Sequence, residues 1–399
     1  MRSPIKKICV YLSVALLLSG CTGHPISTSD VDSIATLPEK LYSDGLYRGF
    51  YNDGGIEQLS VEFELKGNTF VFVRYKSINY KDGNYLGENA TNIQSQVASQ
   101  FQQAAMYLID KPVSAIMDLL DSTIVVSDRD AVTSATLRTN KLASALQDGL
   151  NRGVFSATDT TKLSLPDSAA DGRYRGFYFD GVQEQVSVEF NVENNIFTFI
   201  QLRTPAANAT PDAALYASAV AELTGKPLLA LCELYLSTAD NSSYQQAAAM
   251  GKLISAFLDA LNRGVYSIVS TTVLPTLSNF KNGVYRGFYY EGGIEQVSVQ
   301  FEIVNDTFVS IRYRGLNYTD GNYLAEDAGA PLTTLHHQYL ELTDYLIGKN
   351  VSHVYDLFAP ENIATDADGY SAATLCSNKL VSALMDGLTR GIYRAEDLD

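Results

Sequence analysis

The sequence predicts an α+β fold of three tandem domains, each an antiparallel sheet packed with helices. Three observations lead there. Each third of the chain runs through strand patterns first and helix patterns afterwards, the order that distinguishes α+β domains from alternating α/β ones. The first and last thirds are copies of one another, offset by 238 residues without a gap from Tyr47/Tyr285 through Thr136/Thr374 to Gly153/Gly391. A third, shorter copy lies between them, and the length allows about a hundred residues for each, within the usual domain range.

Every copy opens on YRGFY, at Tyr47, Tyr174 and Tyr285, and continues into LSVEFEL, VSVEFNV or VSVQFEI. In the first copy Leu59, Val61, Phe63 and Leu65 share one face while Ser60, Glu62 and Glu64 take the other, the period of a half-solvated strand. A short GN or ND turn leads to TFVFVRY or TFVSIRY, which makes an antiparallel meander. Helical stretches follow at Phe101 to Ile109 and Val113 to Leu120, with Lys111-Pro112 as the break between them. The last helix of copy one places Leu142, Ala145, Leu146, Gly149 and Leu150 at i, i+3, i+4, i+7 and i+8, an apolar stripe for the sheet, and Gly153 ends it. Its pattern recurs as Lys252 to Gly264 and Lys379 to Gly391. The expected organisation is domain 1 over 41–155, domain 2 over 171–266 and domain 3 over 281–393. The connectors 156–170 and 267–280 lack a core pattern, so relative domain motion is the default expectation.

The outer copies carry two features that the middle one lacks. The first is the run into the last helix: DAVTSAT, with Asp130, Thr133, Ser134, Ala135 and Thr136, and DGYSAAT, with Asp368, Ser371, Ala372, Ala373 and Thr374. The middle copy has Asn241, Tyr244, Gln246 and Ala247 there, although its helix is intact. The second is the loop NYKDGNYL, Asn79 to Leu86, repeated as NYTDGNYL, Asn317 to Leu324. Arg74 to Lys111 and Arg312 to Lys349 both span 37 residues, whereas Gln201 to Lys226 spans 25. A segment needed only for folding would have survived in the middle copy, so the loss of the motif points to a function that two copies perform and one has given up; the loop lost with it either closes over the ligand or is a plain surface loop trimmed by chance.

The pattern Asp-x-x-[Ser/Thr]-small-Ala-Thr before an amphipathic helix, downstream of the YRGFY and QVSVEF strands, resembles the FMN-binding domain of the RnfG and NqrC subunits of redox pumps and of multi-flavin surface lipoproteins. The resemblance implies FMN joined by a phosphodiester to the last Thr of the motif, Thr136 and Thr374 here, by an ApbE-type flavin transferase. Where the family most often has Gly before Ala-Thr, this chain has Ser134 and Ala372. The chemistry suits that spacing, because a phosphate at the first turn of a helix meets unpaired backbone N–H groups and the positive end of the helix dipole. The alternative for Thr133 and Ser371 is an ordinary N-cap. Tyr85 and Tyr323, in the repeated loop, are the candidates for stacking on the planar ring.

Arg2, Lys6 and Lys7 precede the apolar run ICVYLSVALLL and then LSGC, residues 18–21. That is the pattern of a secretory signal over 1–20, too short for a comfortable transmembrane helix. It resembles a bacterial lipoprotein signal with Cys21 as the lipidated residue, which would hold the body at a membrane through residues 21–40 as a tether. The location implied is the cell envelope, outside the cytoplasm. Cys232 and Cys376 are then left, too few for a disulfide framework, and the histidines at 24, 336, 337 and 353 show no ligand spacing that repeats between copies, so no metal site is expected.

The net charge of −16 argues against nucleic-acid binding and suits either a basic partner or simply a solvated secreted surface. No G-x-G-x-x-G follows a strand, and no paired carboxylate or nucleophile–base constellation recurs. The expected function is therefore an electron relay between a membrane donor and an external acceptor rather than a stand-alone enzyme, with the redox partner protein unidentified. The alternatives are a non-redox binding or structural lipoprotein that keeps the fold without the cofactor, and an accessory subunit of a multi-chain reductase.

Overall fold

The computed structural model describes residues 40–53, 57–126, 139–156, 163, 165–166, 168–179, 184–203, 212–241, 244–318, 321–325, 330–364 and 376–395. From Leu41 onward the chain forms one compact unit of mixed α/β structure containing three antiparallel sheets.

In the first repeat β1 (Gly45–Asn52), β2 (Glu57–Lys66), β3 (Thr69–Tyr80), β4 (Gly83–Asn84) and β5 (Val154–Ser156) lie in the order β4-β3-β2-β1-β5. The turn between β2 and β3 is made by Gly67 and Asn68 at φ 56° and 60°, the paired left-handed residues of a two-residue hairpin. The helices are α1 (Asn92–Leu108), a 3-10 segment Val113–Leu120, α2 (Ser122–Val125) and α3 (Thr139–Arg152). The middle repeat has β6 (Gly172–Phe179), β7 (Glu184–Glu193), β8 (Ile196–Leu202), α4 (Ala213–Leu223), α5 (Ala230–Asn241), α6 (Tyr244–Arg263) and β9 (Ser267–Ile268). The third has β10 (Gly283–Glu291), β11 (Ile294–Val304), β12 (Thr307–Tyr318), β13 (Gly321–Asn322), α7 (Ala330–Leu346), a 3-10 segment Val351–Phe358 and α8 (Ser377–Arg390).

The YRGFY tyrosine does the same thing in every repeat. Its ring stacks on the phenylalanine opposite, at 5.2 Å for Tyr47–Phe63, 5.3 Å for Tyr174–Phe190 and 5.4 Å for Tyr285–Phe301. Each hydroxyl donates to a carbonyl four residues upstream at 2.6 Å, which ties down the chain entering the first strand. The glycine two positions on lets the long helix press onto the strand.

Two expectations change. The strands are not half-solvated: Ser60 and Glu62 are buried along with Leu59, Val61, Phe63 and Leu65, leaving Glu64 exposed. Glu62 receives Arg48 at 2.7 Å and also pairs with Arg74. Likewise α3 buries Lys141, Ser144, Asp148 and Arg152 as well as its apolar stripe. The second face of these elements is covered by the neighbouring repeats.

The covering is a closed ring, which also replaces the expected independent motion of the domains. Asp148, Asp259 and Asp386 meet with carboxylate oxygens within 4.8 Å of one another. Within each long helix the arginine four residues on binds its own aspartate through Nε, at 2.8 Å, 3.0 Å and 2.9 Å for Arg152, Arg263 and Arg390. Through a second nitrogen each reaches the aspartate of the next repeat: Arg152 to Asp259 at 3.0 Å, Arg263 to Asp386 at 2.9 Å and Arg390 to Asp148 at 2.8 Å. A third nitrogen donates to the carbonyl of Phe177, Phe288 or Phe50 in that next repeat. The aspartates accept the backbone N–H of Phe50, Phe177 and Phe288, each at 3.1 Å. Beside them Phe50, Phe177, Phe179, Phe288 and Tyr290 form a separate aromatic cluster shared by all three repeats. Six charges balance, and the Nη2 atoms of Arg152 and Arg390 hydrogen-bond the next aspartate, whereas that of Arg263 is 2.9 Å from Asp386 without hydrogen-bond geometry.

Candidate functional site

The repeated loop of the outer copies folds as a tight hairpin at the far end of the third strand. Tyr80 pairs with Gly83 and Asn79 with Asn84, and the Tyr85 N–H donates to Ile78 O at 2.8 Å. The third repeat reproduces it, with Tyr318 paired to Gly321 and Tyr323 N–H on Leu316 O at 2.8 Å. In the first repeat the hairpin is held from below by Gln94 of α1, whose side-chain amide donates to Asp82 O at 2.9 Å.

This geometry brings two tyrosines face to face: Tyr80 and Tyr85 with centroids 4.8 Å apart at 28°, and Tyr318 and Tyr323 at 4.9 Å and 32°. On the other side stands a buried lysine from the first turn of the following helix. Lys141 Nζ lies 4.6 Å from the Tyr80 ring centre and 5.7 Å from that of Tyr51; Lys379 lies 4.8 Å from Tyr318 and 5.8 Å from Tyr289. Each outer repeat thus has an aromatic box in which one ammonium lies near two tyrosines and a third tyrosine stacks on one of them, at the start of the helix that the Dxx[ST]xAT motif leads into. The middle repeat keeps the lysine position as Lys252, but β8 ends at Leu202 and the sequence between Arg203 and Asp212 has no tyrosine to form the pair.

The two boxes differ in detail. Tyr318 shares a 2.6 Å hydrogen bond with the Tyr339 hydroxyl, where the first repeat has Phe101. Lys379 is 3.4 Å from Glu291. Cys376, at the head of α8, is close enough to help push the buried Tyr266, Tyr318 and Tyr339 hydroxyls upward, in each case after burial as the main cause.

The Tyr85 hydroxyl is pushed up to about 12 by burial and then by Asp82, which it meets at 3.1 Å, and Tyr285 also rises to about 12, by burial and Asp306. Groups raised in this way favour the folded state fully below their unfolded value of 10.0 and lose that contribution as pH climbs through about 12. Alkaline titration should therefore show tyrosinate absorbance emerging together with the loss of near-ultraviolet circular dichroism. Full ionisation before any loss of structure would contradict this.

Of the residues singled out in the sequence, Tyr85 and Tyr323 are placed in the boxes, the first half-buried and the second 6% exposed. Asp130, Thr133, Ser134, Ala135, Thr136, Asp368, Ser371, Ala372, Ala373, Thr374 and Cys21 lie outside the described residues. The first described residues after the motif, Thr139 and Cys376, stand next to the boxes in the chain. Sequence reasoning passed over Tyr51, Tyr80 and Lys141 and their counterparts Tyr289, Tyr318 and Lys379; their shared 238-residue offset was the available signal. No protein-family model, curated protein or solved structure matches the chain.

Proposed function

We propose that the protein is a lipid-anchored, extracytoplasmic flavoprotein that carries FMN on Thr136 and Thr374 and relays electrons between a membrane donor and an external acceptor. The observation that carries this reading is the matched pair of aromatic boxes: the two repeats with the motif have one, and the repeat without the motif lacks its tyrosine pair. FMN supplies one- and two-electron redox chemistry when bound. The residues present suit it. Tyr80/Tyr85 and Tyr318/Tyr323 offer flat faces to a ring system, and Lys141 and Lys379 place a positive charge beside electron-rich ring atoms or phosphate. Burial keeps both ammonium groups in surroundings of low dielectric, where their field on a neighbouring group is strong. The net charge of −16 would recruit a basic redox partner. Attachment to the membrane is through a lipid on Cys21, a reading supported by the LSGC run at residues 18–21.

A cofactor-free scaffold is the second reading, favoured by the middle repeat, which holds its place in the ring without the motif. Intact mass of protein made in a host with an ApbE-type transferase separates the two. The expected result is two FMN groups on the wild type, one on Thr136→Ala or Thr374→Ala, and none on the double variant. Unmodified wild type from its native host would overturn the flavin reading. Within that reading, Tyr85→Ala should lengthen the fluorescence lifetime of the flavin on Thr136, and an unchanged lifetime would remove Tyr85 from the site.

A further inference from the structure

We propose that the junction between the third and first repeats binds a monovalent anion of halide size, held by Arg286 and Arg314 of the third repeat and by the Asn52 amide of the first. The inference is independent of the flavin reading.

Two small cavities occupy corresponding places in the ring, one between the third and first repeats and one between the second and third. Each measures about 10 Å³, room for a single small guest. Their walls match residue for residue. Arg286 and Arg314 in one stand where Arg175 and Arg203 stand in the other, Asp53 where Glu291 stands, and Asn52 where Tyr290 stands. Arg390 and Arg263, which also line them, are already bound to the aspartates of the ring.

The charges differ. Between the second and third repeats Arg175 and Arg203 share Glu189, at 2.6 Å and 2.7 Å, and both also pair with Glu291, so two cations meet two carboxylates. Between the third and first repeats Arg286 Nε donates at 3.0 Å to Gln300, which stands where the other repeats have Glu62 and Glu189. Among the described residues the only carboxylate that pairs with Arg286 and Arg314 is Asp53, at 3.3 Å and 2.6 Å. Two cations against one carboxylate leave a surplus of one positive charge. The Arg286 side chain is only 10% exposed, and a charge removed from water in this way draws a counter-ion.

The cavity also offers a donor. Asn52 is 4% exposed, and neither Nδ2 nor Oδ1 of its amide has a hydrogen-bond partner. Its counterparts Phe179 and Tyr290 join the aromatic cluster, so packing at this place is served by rings and does not explain an amide. A buried amide left unpaired is costly, and an N–H donated to an anion recovers part of that cost. Arg314, with a side chain 26% exposed, has the freedom to shift for an ion somewhat larger than water, whereas the space excludes a bulky organic anion. The other two junctions are spanned by connecting chain, residues 156–170 and 267–280, and this one is not. The anion therefore clasps the two ends of a ring that no covalent link closes.

The test follows thermal unfolding of the intact protein by circular dichroism in sodium chloride against sodium gluconate at constant ionic strength, together with anomalous diffraction from crystals in bromide. Tm is expected to rise with chloride and level off as the site fills. The bromide peak is expected beside Arg286 and Asn52, with none in the charge-balanced cavity. Gln300→Glu, which restores the residue with which the other two repeats fold, should lose both the chloride response and the peak. Asn52→Ala should raise the half-saturating chloride concentration about tenfold, the loss of one hydrogen bond to a charged group. Equal Tm in the two salts, or a chloride response unchanged in Gln300→Glu, would overturn the proposal. So would a bromide peak that persists in Gln300→Glu, the mark of an adventitious ion only.

Discussion

Replacing Arg263 with methionine is expected to lower the unfolding free energy by about 3–5 kcal/mol, the cost of removing one partner from a buried ion pair. Arg263 is 3% exposed and spans Asp259, Asp386 and the Phe288 carbonyl, so its loss strips one contact from two buried carboxylates and the partner from a carbonyl. Its position in the motif-free repeat makes the result informative, because no cofactor chemistry is disturbed there directly. Arg263→Lys should recover only part of the loss, since a point-like ammonium cannot reach three acceptors that a planar fork reaches at once. Chemical denaturation followed by circular dichroism gives the comparison. A shift no larger than the ~0.5 kcal/mol typical of surface changes would mean that the ring is not what joins the repeats.

Gly287→Ala should be as damaging or more so. A Cβ at Gly287 would overlap the Ala383 carbonyl and the Gly387 backbone nitrogen of α8, and one at Gly387 would sit 2.8 Å from Phe301 Cε1. The first obstacles are backbone atoms, which cannot rotate aside, so the helix itself must lift from β10. Gly49 against Ala145 and Gly149, and Gly176 against Ala256 and Ala260, repeat the arrangement. Overpacking of this kind ordinarily costs about 1–3 kcal/mol, and a rigid obstacle places the expected value at or beyond the upper end. The comparison is Gly348→Ala, where φ is +80° and nothing lies within 4 Å of the added carbon. That variant should lose only the ~1–2 kcal/mol of a left-handed backbone. Equal effects in the two would show that the close approach of strand and helix is not limiting.

The strands, hairpins and long helices were legible because they depend on local pattern. Alternation in LSVEFEL, the paired turn residues Gly67-Asn68 and the stripe from Leu142 to Leu150 all act within a few residues of themselves. The ring was not legible, because Asp148 and Arg152 read as an ordinary i,i+4 pair on one helix, and such pairs are most often exposed. Its trace was present all the same: Asp259/Arg263 survived in the repeat that had shed both the motif and the loop, the behaviour of residues that all three copies need. The same holds for YRGFY. Phe50 between Gly49 and Tyr51 puts an aromatic on the face opposite the core, and a strand with large apolar groups on both faces is not half-solvated. At the candidate site the sequence marked Tyr85 and Tyr323 through the loop deletion. It left Tyr51, Tyr80 and Lys141 unmarked, since a strand tyrosine and a helix lysine meet only once the sheet and the long helix are packed together.

Because every interface joins one side of a unit to the opposite side of the next, the angle between successive units decides how many complete a circle, and here the third returns to the first. A fourth module inserted by duplication would find no berth. Excising one would leave two raw flanks that could be satisfied only by another molecule. The number of modules is thus a property of their geometry, and lengthening or shortening the chain by whole copies is closed to it unless the circle itself is rebuilt.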